Sequence, residues 1–181
     1  MDNGVNQAIG VGRFAIALLL SAFACYSFKK FCRLNPRHRE NIIMLCMTYS
    51  GCMRFGLFHH SPPTRFQVTF VAHTNDYRLE ATWRKTHKSN RPYAINFPVD
   101  DTPDSPGFLV QHPSGPTVVS TGTLIHWYIR AAQSQQPNNA FFPMLNATPN
   151  RRLMFSTWMK AMFTLTPVSY THLTLPTTPY V

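Results

Sequence analysis

The sequence predicts an α+β fold that is mainly helical and contains a small three-stranded antiparallel sheet. Segments with helical spacing of apolar residues occupy the first and last thirds of the chain, and three short alternating segments lie between them. A length of 181 residues suits one domain with an appendage, and a hydrophobic content of 44% is enough for a packed core. We expect an N-terminal apolar helix and loop over 1–37, one domain over 38–166 and a separate tail over 167–181.

The chain is strongly basic, with a formal net charge of +10 from 17 Lys and Arg against 7 Asp and Glu. Such a balance favours a polyanionic partner, nucleic acid first and an anionic membrane surface second. The four cysteines form no C-x-x-C pair, so we expect buried free thiols in a reducing compartment. His59 and His60 have no third ligand in view, so no metal site is predicted.

The uncharged run over residues 14–28 has two interpretations. It is shorter than the ~20 residues of a membrane span, and a buried helix of a soluble protein is the one we favour. The alternative is a signal peptide or short membrane anchor, with Ala22-Phe23-Ala24 as a cleavage site. In the buried helix one face would carry Ile16, Leu19, Leu20, Phe23 and Ser27.

A second helix is predicted from about Arg37, after the Asn35-Pro36 break, to about Arg54. Arg54 would then stand at its far end. It is either an ordinary helix-terminal arginine near the C-terminal dipole or a phosphate-binding arginine on a rigid support. The core-facing positions are Ile42, Ile43, Leu45, Cys46 and Tyr49.

Three alternating segments follow, over 66–70, 77–83 and 93–97. Because they are short and close together, they favour an antiparallel meander. The turn between the second and third strands is cationic. It is either a solvated loop or a tip that reaches phosphates in a groove, and its basic residues are Arg84, Lys85, His87, Lys88 and Arg91.

The rest of the chain alternates between proline-rich and helical patterns. Residues 99–120 contain four prolines and are predicted to be a connector without regular structure. Ser120-Thr121-Gly122-Thr123 is expected to cap a helix that ends near Gln133, and Phe141-Phe142-Pro143 is expected to be extended. A last helix begins at Asn150, and its predicted buried face is Leu153, Trp158, Met159, Met162 and Phe163.

The tail from Pro167 to Val181 shows neither amphipathic period nor charge. Residues 168–177 resemble, residue for residue, one reading frame of a transposon-end adapter used in sequencing-library preparation. We therefore exclude the tail from fold reasoning. We expect the natural protein to continue differently here, so that this chain is a fragment.

Four motifs stand in a fixed order. They are Tyr49-Ser50-Gly51-Cys52-Met53-Arg54-Phe55-Gly56-Leu57, then Lys85-Thr86 with its basic turn, then 124–130 with Ala140-Phe141-Phe142, then 153–163. Their order resembles the tyrosine recombinase (phage-integrase type) catalytic domain over roughly 38–163. The likeness is to the eukaryotic branch found in retroelements and in algal or viral genomes. Leu57 stands where that family carries a glutamate.

The resemblance implies DNA recombination and integration by a mobile element. In this family a tyrosine attacks a DNA phosphodiester and forms a 3′-phosphotyrosine. Arg54 would stabilise the charge on the phosphorane, and Lys85 would protonate the leaving 5′-oxygen, with Lys88 as its substitute. The DNA-binding residues would be Arg84, His87, Lys88 and Arg91.

The implied partner is double-stranded DNA inside the cell, with self-association on DNA in the full-length protein. No cofactor, metal, small-molecule substrate or membrane is expected. The family's H-x-x-R box, later His or Trp, and nucleophilic tyrosine would follow residue 163 and are not present in this chain, which we therefore expect to be inactive. Tyr170 and His172 belong to the tail and are excluded.

Two alternatives remain open. One is a secreted or membrane-anchored β-rich binding domain with residues 14–28 as leader. The other is a decayed recombinase that acts as a non-catalytic DNA-binding module. The leader alternative expects residues 14–28 to project alone, whereas the recombinase expects them to pack on the helix that begins near residue 38.

Overall fold

The computed structural model describes residues 3–53, 58, 66–81, 93–132, 141–147 and 150–165. The predicted α+β class is confirmed. The helices of these ranges are α1 (Asn3–Ala22), α2 (Phe28–Cys32), α3 (Pro36–Ser50), α4 (Thr121–Ala132), α5 (Pro143–Ala147) and α6 (Arg151–Leu165). The strands are β1 (Phe66–Val71), β2 (Asp76–Ala81), β3 (Tyr93–Pro98), β4 (Gly107–His112) and β5 (Gly115–Ser120).

The fold is built around α3. Every residue from Arg39 to Thr48 is buried, which is typical of a helix covered on all sides. Its start follows from the sequence, because the Asn35 side chain accepts the amide of Arg37 at 3.0 Å and Pro36 takes a first-turn position. The helices α1, α4 and α5 all pack against it.

The N-terminal apolar run is a packed helix. It begins earlier than expected, at Asn3, and ends at Ala22, and a turn with Ala24 at φ 52° separates it from α2. The expected face is largely confirmed, since Ile16, Leu19 and Leu20 are buried. Gly12 fits directly against the ring of Tyr49 on α3. Within the described ranges, no helix combines the length and the apolar character needed to cross a membrane.

The predicted three-stranded antiparallel meander is confirmed, in the order β1-β2-β3. Val68 pairs with Leu79, and Leu79 pairs with Ile95. The alternation works as the sequence suggested: Leu79 and Phe97 are buried, whereas Arg78 and Glu80 form an ion pair of 2.8 Å on the outer face. The predicted second strand extended to Trp83, which lies outside the described residues.

The prediction of an irregular connector over 99–120 is wrong. Residues 107–120 form the β4–β5 hairpin, with the turn at Pro113 and Ser114 and with Gly115 at φ +125°. Both strands of a two-stranded sheet are edge strands, and edge strands tolerate proline. The prolines at 113 and 116 therefore shape the hairpin rather than prevent it.

The helix expected after Ser120 is confirmed as α4, and its end at Ala132 agrees with the sequence. The expectation that Phe141-Phe142-Pro143 is extended is wrong for its last residue. Pro143 begins α5 instead, because proline is favoured in the first turn of a helix, where its missing N–H has no partner to lose. Phe142 is buried, so this segment does dock on the core.

The last helix, α6, begins next to Asn150 as predicted, and the Asn150 side chain accepts the amide of Leu153 at 3.4 Å. Its buried face is partly as predicted. Trp158 and Met162 are buried, but Leu153 is 59% exposed, and Phe155 is buried in its place. Positions 155, 158 and 162 share one side of a helix, and residue 153 falls on the other side.

One hydrophobic cluster joins α1, α3, α4, both sheets and α6. The free-thiol expectation is correct for the two cysteines inside this cluster, Cys25 and Cys46. Burial raises the pKa of the Cys25 thiol to about 12. Cys52, by contrast, is exposed.

Candidate functional site

The residues that the sequence assigned to the site all lie outside the described residues. They are Arg54, Lys85, Arg84, His87, Lys88 and Arg91. The structure does describe the places from which both basic segments start. These are the end of α3 and the paired ends of β2 and β3.

The segment that leads to Arg54 begins at a closed helix end. The prediction that the helix runs to about Arg54 is wrong, because α3 ends at Ser50. The amide of Gly51 donates to Met47 at 2.9 Å, Cys52 is in the left-handed region at φ 50°, and the amide of Met53 donates to Thr48 at 2.9 Å. This six-to-one hydrogen bond after a left-handed residue is the usual way a helix stops. Met53 is buried, so the chain reaches Arg54 from a fixed position.

This helix end lies directly on the sheet. A Cβ atom placed on Gly51 would stand 3.1 Å from Cδ1 of Ile95 on β3. Ile95 is two residues from Tyr93, or about 7 Å along a strand. Tyr93 pairs with Ala81, so both ends of the segment 82–92, which carries the other basic residues, are held at the same end of the sheet.

The start of α4 packs against the end of α3 and against β3. The hydroxyl oxygens of Ser50 and Thr121 lie 2.5 Å apart. Any Cβ on Gly122 would overlap the Pro98 carbonyl group at the end of β3, so glycine is required for this close approach. The end of α3 and the start of α4 therefore contact each other, and both pack along β3 between Ile95 and Pro98.

The first turn of α4 is capped within the protein. The amide of Thr123 donates to the Ser120 hydroxyl at 3.0 Å, and the amide of Thr121 donates to the Pro106 carbonyl at 2.9 Å. The amide of Ser120 in turn donates to the Asp101 carboxylate at 2.8 Å. These three amides already donate to acceptors within the protein, so they are not free to bind an anion at the start of α4.

Two tyrosines of the described core make hydrogen bonds that fix their hydroxyl groups. The Tyr77 hydroxyl and His126 Nδ1 lie 2.8 Å apart, and the Tyr128 hydroxyl donates to the Phe141 carbonyl at 2.6 Å. Burial raises the pKa of both phenols. Tyr77 and Tyr128 are 5% and 3% exposed, so both side chains belong to the core.

Sequence reasoning missed the role of Glu40. Its carboxylate, 3% exposed, accepts the amides of Met144 at 2.8 Å and Leu145 at 2.9 Å, and it therefore caps the start of α5. Desolvation raises its pKa, although these hydrogen bonds and the nearby Arg37 oppose the shift. The signal in the sequence was a lone carboxylate in an otherwise basic and apolar helix.

No group of three or more His, Cys, Asp or Glu side chains among the described residues is arranged to hold a metal ion. The paired histidines at 59 and 60 lie outside those residues. No family model, curated protein or solved structure matches this chain. The likeness to tyrosine recombinases therefore rests on its own residues and on their order.

Proposed function

We propose that this chain is the DNA-holding part of a tyrosine recombinase catalytic domain. One observation carries the proposal: the end of α3 contacts Ile95 of β3, two residues from Tyr93, where β3 pairs with the end of β2. The two segments that carry Arg54 and Lys85 therefore start from neighbouring points. A net charge of +10 supports a polyanionic partner.

The chemistry follows from the residue types. A planar guanidinium such as that of Arg54 suits bidentate contact with the non-bridging oxygens of a phosphodiester. A lysine such as Lys85 can act as general acid and protonate the leaving 5′-oxygen. The remaining basic residues of the 82–92 segment would neutralise neighbouring phosphates.

The packing of α1 on α3 favours this proposal over a leader with an appended binding domain. The recombinase interpretation expected that contact. A non-catalytic DNA-binding module using the same surface is a second candidate, since Leu57 replaces the family's glutamate and the nucleophile is not among these residues.

A salt titration of duplex DNA binding tests the proposal. We expect log K to fall linearly with log[salt], and the Lys85→Gln/Lys88→Gln variant to reduce that slope by about 2, because each neutralised phosphate contributes about 0.9. The matched control is Arg13→Gln/Lys160→Gln, which removes the same charge elsewhere. An unchanged slope in the lysine variant would contradict the proposal.

Arg54 requires a separate test. Arg54→Ala should weaken duplex binding, and Arg54→Lys should restore it only in part, because lysine keeps the charge but loses the bidentate geometry. Suicide DNA substrates should give no covalent adduct with this chain. An adduct would refute the expected inactivity.

A further inference from the structure

Helix α2 presents a row of cations on one side. Lys29, Lys30 and Arg33 are all exposed, and their spacing of three and four residues places them on a single face. Phe31 points the other way, is fully buried and packs near Trp127 of α4 at 6.1 Å between ring centroids. The cationic face is thus carried by an anchored element, although α2 itself has only five residues.

A fourth cation, Arg130 of α4, lies beside α2 on the side of Phe28, which shares a helix side with Phe31. The guanidinium carbon of Arg130 lies 4.8 Å from the centre of the Phe28 ring, a distance at which the ring face attracts a cation. Arg130 is exposed and stands near the C-terminal end of α4. We name the set Lys29, Lys30 and Arg33 the α2 basic face, and Arg130 adds a cation beside the same helix.

Among the described residues, no ion pair joins a carboxylate to a cation of this face. The sequence contains no Asp or Glu over 3–39 or over 105–181. Glu40 is buried and occupied by the amides of α5. The other described acidic residues lie on β2 and in the connector before β4, where Asp101 binds the first residue before α4. That point is about 15 Å along α4 from Arg130.

The α2 basic face also lies away from the proposed recombinase site. Arg39, near the start of α3, donates to the Cys32 carbonyl of α2 at 3.4 Å, whereas the proposed site adjoins the end of α3. The 15 residues of α3 separate the two places by about 22 Å. That length corresponds to roughly six or seven base pairs of duplex.

We infer that the α2 basic face is a second contact surface for the phosphate backbone of duplex DNA. The inference rests on the proposed DNA-binding function and extends it to DNA that flanks the reacting site. Three exposed cations on one face of an anchored helix, with a fourth beside that helix and no Asp or Glu over residues 3–39, are suited to phosphate contacts, which depend on charge and not on base sequence. Duplex DNA is favoured over an anionic membrane, because the exposed residues of α2 are charged. Its two phenylalanines face the protein: Phe31 is buried in the core, and Phe28 is half-buried against Arg130 of α4.

The test uses the full chain and a duplex of about 20 base pairs, long enough to span both places. Fluorescence anisotropy at several salt concentrations compares Lys29→Gln/Lys30→Gln with the charge-matched control Arg13→Gln/Lys160→Gln. We expect the first variant to reduce the slope of log K against log[salt] by about 2 and the control to leave it unchanged. Arg33→Gln should reduce the slope by about 1, and Arg33→Lys should preserve it, because phosphate contact depends on charge.

The outcomes separate this inference from the proposed function. An unchanged slope in Lys29→Gln/Lys30→Gln, together with a reduced slope in Lys85→Gln/Lys88→Gln, would overturn the inference alone. The reverse pattern would support the α2 basic face and contradict the proposed recombinase site. If the Lys29→Gln/Lys30→Gln variant lost binding to phosphatidylserine vesicles but kept its DNA slope, the surface would be a membrane contact and the inference would fail.

Discussion

The hydroxyl of Ser50, the last residue of α3, lies 2.5 Å from the hydroxyl of Thr121, the first residue of α4. At the opposite end of the pair, the Tyr128 hydroxyl oxygen of α4 lies 3.4 Å from Oε1 of Glu40 of α3. The two helices therefore run antiparallel and are tied at both ends. The segment that leads to Arg54 starts immediately beyond the first of these ties.

Removing the hydrogen bond between Ser50 and Thr121 should destabilise the fold. We expect Ser50→Ala and Thr121→Val each to lower the free energy of unfolding by about 1 kcal/mol, the net value of a typical hydrogen bond. In a double-mutant cycle the coupling energy should also be about 1 kcal/mol. Urea denaturation measures all three variants. Thr69→Val on the exposed side of β1 is the control, and purely additive effects at 50 and 121 would contradict the direct bond.

Replacing Gly122 by alanine should change stability in the opposite direction from the one that helix propensity predicts. In an open helix, glycine to alanine stabilises by about 1 kcal/mol. Here the new methyl group would overlap the Pro98 carbonyl, so we expect Gly122→Ala to destabilise by about 3 kcal/mol. Thermal denaturation measures the change, and a higher melting temperature would show that α4 and β3 do not approach so closely.

Glu40 should be essential for the docking of α5. Glu40→Ala leaves the buried amides of Met144 and Leu145 without their acceptor, which should lower the free energy of unfolding by about 3 kcal/mol. Glu40→Gln keeps an oxygen acceptor and should be milder. Chemical denaturation compares the two variants, and equal losses would contradict a capping role.

The environment of Glu40 also predicts that the stability of the fold depends on pH. Burial raises the pKa of Glu40 above its ordinary value of 4.5, so the folded state binds its proton more tightly than the unfolded state. This contribution to stability is fully present below pH 4.5 and is lost as the pH rises through the folded pKa. The stability of the wild type relative to Glu40→Gln should therefore fall between pH 4 and pH 7. A difference that rises over this range would contradict the sign of the shift.

Local patterns were enough to predict most elements of the fold. Alternation in 66–70, 77–83 and 93–97 correctly gave the sheet. Its buried face is as predicted in β2, but Phe70 of β1 is 50% exposed. Ser120-Thr121-Gly122-Thr123 correctly marked the start of α4. The β4–β5 hairpin was missed because its prolines were interpreted as breakers. Phe108 and Val110 are buried in the hairpin and Leu109 between them is exposed, but because Leu109 is also apolar the sequence shows no clear alternation there.

The long-range contacts could not be derived from local patterns. Nothing near Gly122 indicates that it must admit the Pro98 carbonyl, and nothing near Glu40 indicates that it caps a helix more than 100 positions away. Such contacts depend on how distant elements pack. The convergence of Arg54 and Lys85 remains a prediction, since only the starting points of their segments are described.

His38 should make the docking of α6 sensitive to acid. The Trp158 indole donates to Nδ1 of His38 at 2.6 Å, so this nitrogen must be free of a proton. Phe23, directly after α1, lies against the same imidazole ring, and burial lowers the pKa of His38. Above pH 6.5 the neutral ring contributes its full stabilisation. As the pH falls below 6.5, the unfolded chain takes up a proton that the folded chain resists, and stability decreases toward the folded pKa.

The measurement is Tm and Trp158 fluorescence between pH 7.5 and pH 5. Gln at position 38 offers a carbonyl acceptor that does not titrate over this range, so His38→Gln should flatten the decline in Tm. His73→Gln, in an exposed turn, is the matched control and should leave the decline unchanged. If both variants declined as steeply as the wild type, the acid sensitivity would come from other groups, and the Trp158–His38 hydrogen bond would not be the contact that couples α6 to pH.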